Sequence, residues 1–195
     1  MNYFEVFGLP RTLGIDTAAL QRRFYELSRE SHPDFHQAAP ADEQARVLEA
    51  SARLNAAYRA LRDPIARVEY LVRLEDGRET KEGETVKPKA PPELLAEMFE
   101  IQEALQEARA GGGLDDDTRT TLTTRRERLT ERREAEEARI TGALSATWDA
   151  ASPADRPKIL AAFKEALATR AYLRTVIDDL TEAISGEAHV AHHRD

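Results

Sequence analysis

Apolar residues in this chain recur at intervals of three and four, the spacing of one helix face, and the rhythm stops where prolines and glycines gather. Nine Gly and nine Pro in 195 residues, clustered rather than scattered, leave room for long regular elements between them. "NYFEVFG" reads as a short helix stopped by Gly8, with Pro10 just beyond. A longer run follows Asp16, which stands at the N-cap, and Leu20, Phe24 and Leu27 share one face of it. That helix stops before Pro33, which disfavours helical geometry at His32. A third run, from about Ala41 to Leu61, is expected to turn Val47, Leu48, Leu54, Tyr58 and Leu61 inward. A fourth opens at "DPIARVEYLVRL", with Asp63 as cap, Pro64 in the first helical position and Ile65, Val68, Leu71 and Val72 on its apolar face.

The pattern then dies. "EDGRETKEGETVKPKAPP", residues 75–92, is polar and without period, and reads as a linker. Three longer helical runs follow: roughly 93–110 with Leu94, Leu95, Met98, Phe99, Ile101 and Leu105; roughly 116–150 with Leu122, Leu129, Ile140, Leu144 and Trp148; and roughly 155–185 with Leu160, Phe163, Leu167, Leu173, Ile177, Leu180 and Ile184. No strand is convincing and no repeat is found. The expected architecture is all-α: a small helical domain over 1–74, a linker over 75–92, a three-helix bundle over 93–186, and a flexible tail over 187–195.

Composition narrows the chemistry. Cysteine is absent, which excludes disulfides, thiolate zinc sites, Cys-ligated iron–sulfur clusters and Cys nucleophiles. Residues 1–74 hold ten Lys+Arg against ten Asp+Glu, whereas 75–195 hold 18 against 26. The net charge of −8 therefore lies in the second part and argues against nucleic acid as a partner. No stretch approaches the roughly 18 apolar residues of a membrane span, so no membrane partner is expected. The start lacks a basic region followed by an apolar run, and the expectation is a cytoplasmic protein.

One stretch interrupts the helical rhythm with chemistry-bearing residues: "RESHPDFHQ", residues 29–37. His32 and His36 stand four apart, but that spacing chelates a metal only on a helix, which Pro33 opposes. An acid–base pair would need a pocket and a third group to orient the base, and neither is suggested. From spacing alone the motif is a helix stop with a polar loop. "HVAHH", residues 189–193, reads as a frayed terminus rather than a metal site.

The order of elements says more than the spacing. A short "YFEVFGLP" helix, an amphipathic helix with basic residues, "HPD", a helix carrying "LNAAYRALRDP", and then "RVEYL" resemble a J domain, and more narrowly the HscB type, the co-chaperones of iron–sulfur cluster biogenesis. The resemblance covers residues 1–74 closely and extends through helix order and the acidic run after the linker. It implies a fold of an N-terminal J domain, a helical hairpin with short flanking helices, plus a C-terminal three-helix bundle.

The resemblance also implies partners. The His–Pro–Asp tip and the basic face before it would engage a DnaK-type (HscA-like) chaperone and stimulate its ATPase; here these are His32, Pro33 and Asp34 with Arg22, Arg23 and Arg29. The spacing agrees, since Arg22 and Arg29 lie two turns apart on a face away from Leu20, Phe24 and Leu27. Phe35 follows Asp34 where many J domains carry a basic residue. A mixed apolar and acidic face after the linker would hold an IscU-type scaffold, through Leu95, Ala96, Phe99, Glu100, Glu103 and Glu107, with Tyr172 as the aromatic from the last helix. From the residues alone, Leu95 and Phe99 fit bundle core as readily, and the glutamates fit a solvated face. No cofactor, metal or catalytic residue is implied. The other reading is a J-domain co-chaperone for a different client, its bundle an interaction or dimerisation module.

Overall fold

The computed structural model describes residues 1–30, 40–77, 92–110 and 114–191, and among them there are helices and no strand. The chain divides into two compact units, Met1–Gly83 with Ile140–Phe163, and Glu84–Arg139 with Lys164–Asp195.

In the first unit α1, Tyr3–Val6, is too short to persist alone. It is held by a reciprocal cap, in which the Asn2 side chain accepts from the Glu5 amide and the Glu5 carboxylate accepts from the Asn2 amide, each at 3.0 Å. Gly8, at φ +67°, ends it in a conformation that a side chain would strain. The Tyr3 amide donates to the Tyr70 hydroxyl at 2.8 Å, and the two rings stack at 4.4 Å. Helix α2, Thr17–Glu30, is capped by Asp16, which accepts from the Ala18 and Ala19 amides at 2.9 and 3.0 Å. The Ala19 bond is the chief reason this carboxyl sits below the usual range. Phe24 of α2 stacks at 4.2 Å on Tyr58 of α3, Ala41–Arg62. Helix α4, Pro64–Glu75, starts as expected, with Asp63 accepting from the Ala66 amide at 2.8 Å.

Leu54, Ala57 and Leu61 of α3 are buried, as are Val68, Leu71 and Leu74 of α4. Leu48, expected to point inward, is 63% exposed. At 100° per residue it stands about 120–180° around the helix from Leu54, Ala57 and Leu61, so the face that buries those three turns Leu48 out.

Residues 140–163 complete this unit. The helix expected over 116–150 is α6, Asp116–Arg139, then a π-helical turn, Ile140–Leu144, then α7, Ser145–Ala150. The turn adds a residue to the helical repeat and shifts the phase of Trp148 by about 100° relative to Leu122 and Leu129. Trp148 is fully buried, its indole pointing to the Arg11 carbonyl at 3.5 Å, with the Phe163 ring 6.3 Å away and the Arg156 guanidinium 5.0 Å above it. The next residue, Asp149, accepts from the Leu13 and Gly14 amides, both at 2.7 Å. A side chain at position 14 would begin 3.2 Å from the Asp149 carboxylate, so glycine allows this close approach.

The second unit is a bundle of α5, Pro92–Ala110, α6, and the part of α8, Arg156–Ala191, from Lys164 onward. Leu94 and Ile101, Leu122 and Leu129, and Leu173, Val176, Ile177 and Leu180 form one buried cluster, with Met98, Leu114, Tyr172 and Ile184 against it. Each fully buried Leu or Ile contributes roughly 1.5–3 kcal/mol. Polar ties fix the register: Arg170 donates to Glu137 at 2.8 Å, and Arg119 to the Ile184 carbonyl at 2.9 Å.

The Asp149 tether is open to test, because Trp148 is the only tryptophan and reports on the first unit. Asp149→Ala leaves two amides without their acceptor and is expected to cost on the order of 1–3 kcal/mol. Asp149→Asn, which keeps an acceptor oxygen without the charge, should cost less. The measurement is the urea midpoint followed by Trp148 fluorescence; an unmoved midpoint in Asp149→Ala would mean the tether contributes nothing.

Candidate partner-binding surfaces

Among the described residues, each unit carries a helix face that sets an exposed aromatic group among charges. On α2, Leu20, Phe24 and Leu27 turn inward, and Arg22, Tyr25 and Arg29 form the opposite side. Tyr25 is 55% exposed, with its ring 5.6 Å from that of Phe24. Arg23, further round the helix, pairs with Glu26 at 3.0 Å. The surface is therefore an aromatic group between two guanidinium groups, with a third arginine already neutralised within its own helix. Arg29 also sits in the last turn, where a cation is favoured by the helix dipole. His32, Pro33 and Asp34 lie outside the described residues. Tyr25 was absent from the set expected from sequence, although its position off the Leu20–Phe24–Leu27 face was a readable sign.

On α5 the split between inside and outside is clean. Leu94 and Ile101 are buried, and Met98 and Ala104 pack beside them. Leu95, Phe99, Glu103, Ala96, Glu107 and Glu100 fall within an arc of about 140° on the other side. Leu95 is half-buried, Ala96 and the three glutamates are exposed, and Phe99 is 65% exposed. An exposed phenylalanine beside a leucine, rimmed by carboxylates, is an apolar contact patch with a negative border.

Tyr172 is placed differently. It is partly buried against the bundle core, and its hydroxyl donates to the Leu94 carbonyl at 3.1 Å, a tie between α8 and the start of α5. Burial, and then the nearby Glu97 carboxylate, raise its phenol above the ordinary range. The α5 surface also has cationic neighbours that sequence spacing did not signal. Arg125 of α6 donates to Glu100 at 3.2 Å, and Arg132 stands 4.0 Å from Glu97. Among the described residues no cluster of His, Cys, Asp and Glu could hold a metal, and no helix is long and apolar enough to cross a membrane.

The chain is similar to known proteins. The family model described as the HSCB C-terminal oligomerisation domain matches residues 90–156. The co-chaperone protein HscB homolog of Azoarcus sp. (strain BH72) is 36% identical over 115 residues, 59% of this chain and 63% of that protein, so the match spans less than two thirds of the relative. The chaperone HscB from Vibrio cholerae is 25% identical with a TM-score of 0.59, and the likeness covers 93% of this chain and 96% of that one. Human co-chaperone HscB, 24% identical with a TM-score of 0.58 over 93% and 81% of the two chains, shares the fold. A J domain followed by a C-terminal helical bundle is thus the fold of this chain, and in sequence and structure it is similar to co-chaperones of the HscB type.

Proposed function

We propose that the chain is a non-enzymatic co-chaperone with one partner for each unit. The first unit recruits a DnaK-type (HscA-like) chaperone through His32, Pro33 and Asp34 and the basic face of Arg22, Arg23 and Arg29, to which Tyr25 adds apolar contact. ATP is hydrolysed in the partner. The second unit carries an IscU-type scaffold on Leu95, Ala96, Phe99, Glu100, Glu103 and Glu107, with Tyr172, bonded to the Leu94 carbonyl, as the aromatic from α8. Two binding faces on one chain raise the effective concentration of scaffold at the chaperone, which couples its handling to ATP use.

The observation that carries this reading is Phe99, 65% exposed and opposite the side of α5 that builds the bundle core. A large apolar group left in water on the same side as three carboxylates stands outside the bundle core. It suits an interface anchor with a charged rim. A second reading has its own support: the matching family model is described as an oligomerisation domain, so the same face would join copies of the chain. Sedimentation across a range of concentrations separates the two, since self-association through Phe99 would vanish in Phe99→Ala.

Three outcomes follow from the first reading. His32→Gln or Asp34→Asn should abolish stimulation of the chaperone's ATPase and leave the melting temperature within about 2 °C of the parent, since a tip that serves a partner adds little to folding. Stimulation equal to the parent in either variant would overturn the role of the tip. Recognition through Arg22 and Arg29 is partly Coulombic, so half-maximal stimulation should need more protein as salt rises from about 0.05 to 0.5 M. A flat response would assign the contact to Tyr25 and other apolar groups instead.

The third concerns the bundle. Phe99→Ala should weaken scaffold binding by on the order of 1–3 kcal/mol with melting unchanged, and Leu95→Ala should add a comparable loss with some cost in stability, because Leu95 is half-buried. Chaperone stimulation without scaffold should survive both. Unaltered scaffold affinity in the double variant would remove this face from the interaction.

A further inference from the structure

The outer face of α5 is acidic, but it is not bare. Arg125 of α6 reaches Glu100, its Nη2 lying 3.2 Å from Oε2, with the two side chains 33% and 65% exposed. Glu100 is the carboxylate next to Phe99 in sequence. Among the described residues Glu103 and Glu107, on the same face, have no ion pair. The carboxylates of the rim therefore differ: one is held by the chain's own guanidinium, and two stand open to solvent.

We propose that Arg125 is an internal competitor for Glu100, which a basic side chain of the scaffold must displace, and that this competition sets the selectivity of the face. The inference rests on the reading of α5 as the scaffold surface. An exposed pair of this kind is weak in water, so it yields to a well-aligned partner. A guanidinium fork that meets Glu100 while an apolar side chain covers Phe99 replaces Arg125, because the contact with Phe99 adds to it. A lone lysine or a diffuse cationic surface gains too little to do so. Arg125 thus rejects basic partners that lack the apolar contact, which is discrimination by an opposing group rather than by an added attraction.

The test compares two variants that break the same pair from opposite ends. Binding of the IscU-type scaffold is measured by titration calorimetry for the parent chain, Arg125→Gln, Glu100→Gln, the double variant, and Phe99→Ala. Arg125→Gln frees Glu100 and should tighten binding by about two- to fivefold, with a steeper loss of affinity as salt rises. Glu100→Gln should weaken binding, and in that background Arg125→Gln should have no further effect. Both single variants lose the same α5–α6 tie, so a merely structural role would move affinity in one direction in both. If Glu100→Gln weakens binding and Arg125→Gln leaves it unchanged or weakens it too, the competitor is overturned while the scaffold face stands. If neither Glu100→Gln nor Phe99→Ala alters affinity, the scaffold face itself is wrong and the competitor falls with it.

Discussion

A buried guanidinium holds the first unit together. Arg67, almost fully enclosed, donates through Nε to the Leu61 carbonyl at 2.7 Å and through Nη1 to the Leu13 carbonyl. Burial lowers its pKa, and the carboxylates of Asp63 and Asp149 pull the other way. An uncompensated charge in such a place would cost several kcal/mol, so the acceptors and the two acids around it are requirements of the fold. Their geometry fixes the loop before α2 from both sides. Arg67 takes the carbonyl of Leu13, and Asp149 takes the amides of Leu13 and Gly14. Asp16, two residues further on, then caps α2. The direction in which Arg22, Tyr25 and Arg29 point is thus set by a cation on α4 and an anion on α7.

The second unit depends on a different constraint, the width of the apolar stripe. A helix in a three-helix bundle needs one face for its neighbours. On α5 that need is met by Leu94 and Ile101, with Met98 and Ala104 beside them. Tyr172, bonded to the Leu94 carbonyl, holds the start of the helix without using its outer face. Phe99 and Leu95 are surplus to the core, and this surplus gives the surface its apolar centre.

What could be read from the sequence was local. Gly8, Asp16, Asp63 and Pro64 act within three residues of themselves, and the helix starts and stops that they specify are those observed. The inward faces of α2 and α4 follow from periodicity in the same way. Features that depend on a distant part of the chain were not legible. Arg67 in "DPIARVEYL" looks like any solvated arginine until its acceptors at residues 13 and 61 come to it. Trp148 read as part of the stripe that contains Leu122 and Leu129, and only the extra residue of the π-helical turn gives it another phase. Leu48 matched a helical spacing, yet α3 has two sides at such spacings and folding chose the one with Leu54 and Leu61. On α5 the pattern left Phe99 undecided between core and surface. The burial of Leu94 and Ile101 decides that question, and the pair between Arg125 and Glu100, across two helices, had no sign in the sequence at all.

The two candidate surfaces share a design with opposite signs. Each has one exposed aromatic group, Tyr25 on α2 or Phe99 on α5, set among like charges. A chain that carries both a cationic and an anionic surface of this kind invites a second copy, because one face complements the other. Both surfaces also carry their own opposing charge, Glu26 beside Arg23 and Arg125 beside Glu100, each within about one hydrogen-bond length. At such distances an exposed pair is worth on the order of 1 kcal/mol in water, too little to rigidify the helix but a loss that any copy-to-copy docking must first restore. On the proposed reading, a partner brings apolar contact at the aromatic centre to meet that loss, whereas a second copy that met charge with charge alone would not. On that reading the internal ion pairs would favour partners that bury the aromatic groups over those that offer charge alone.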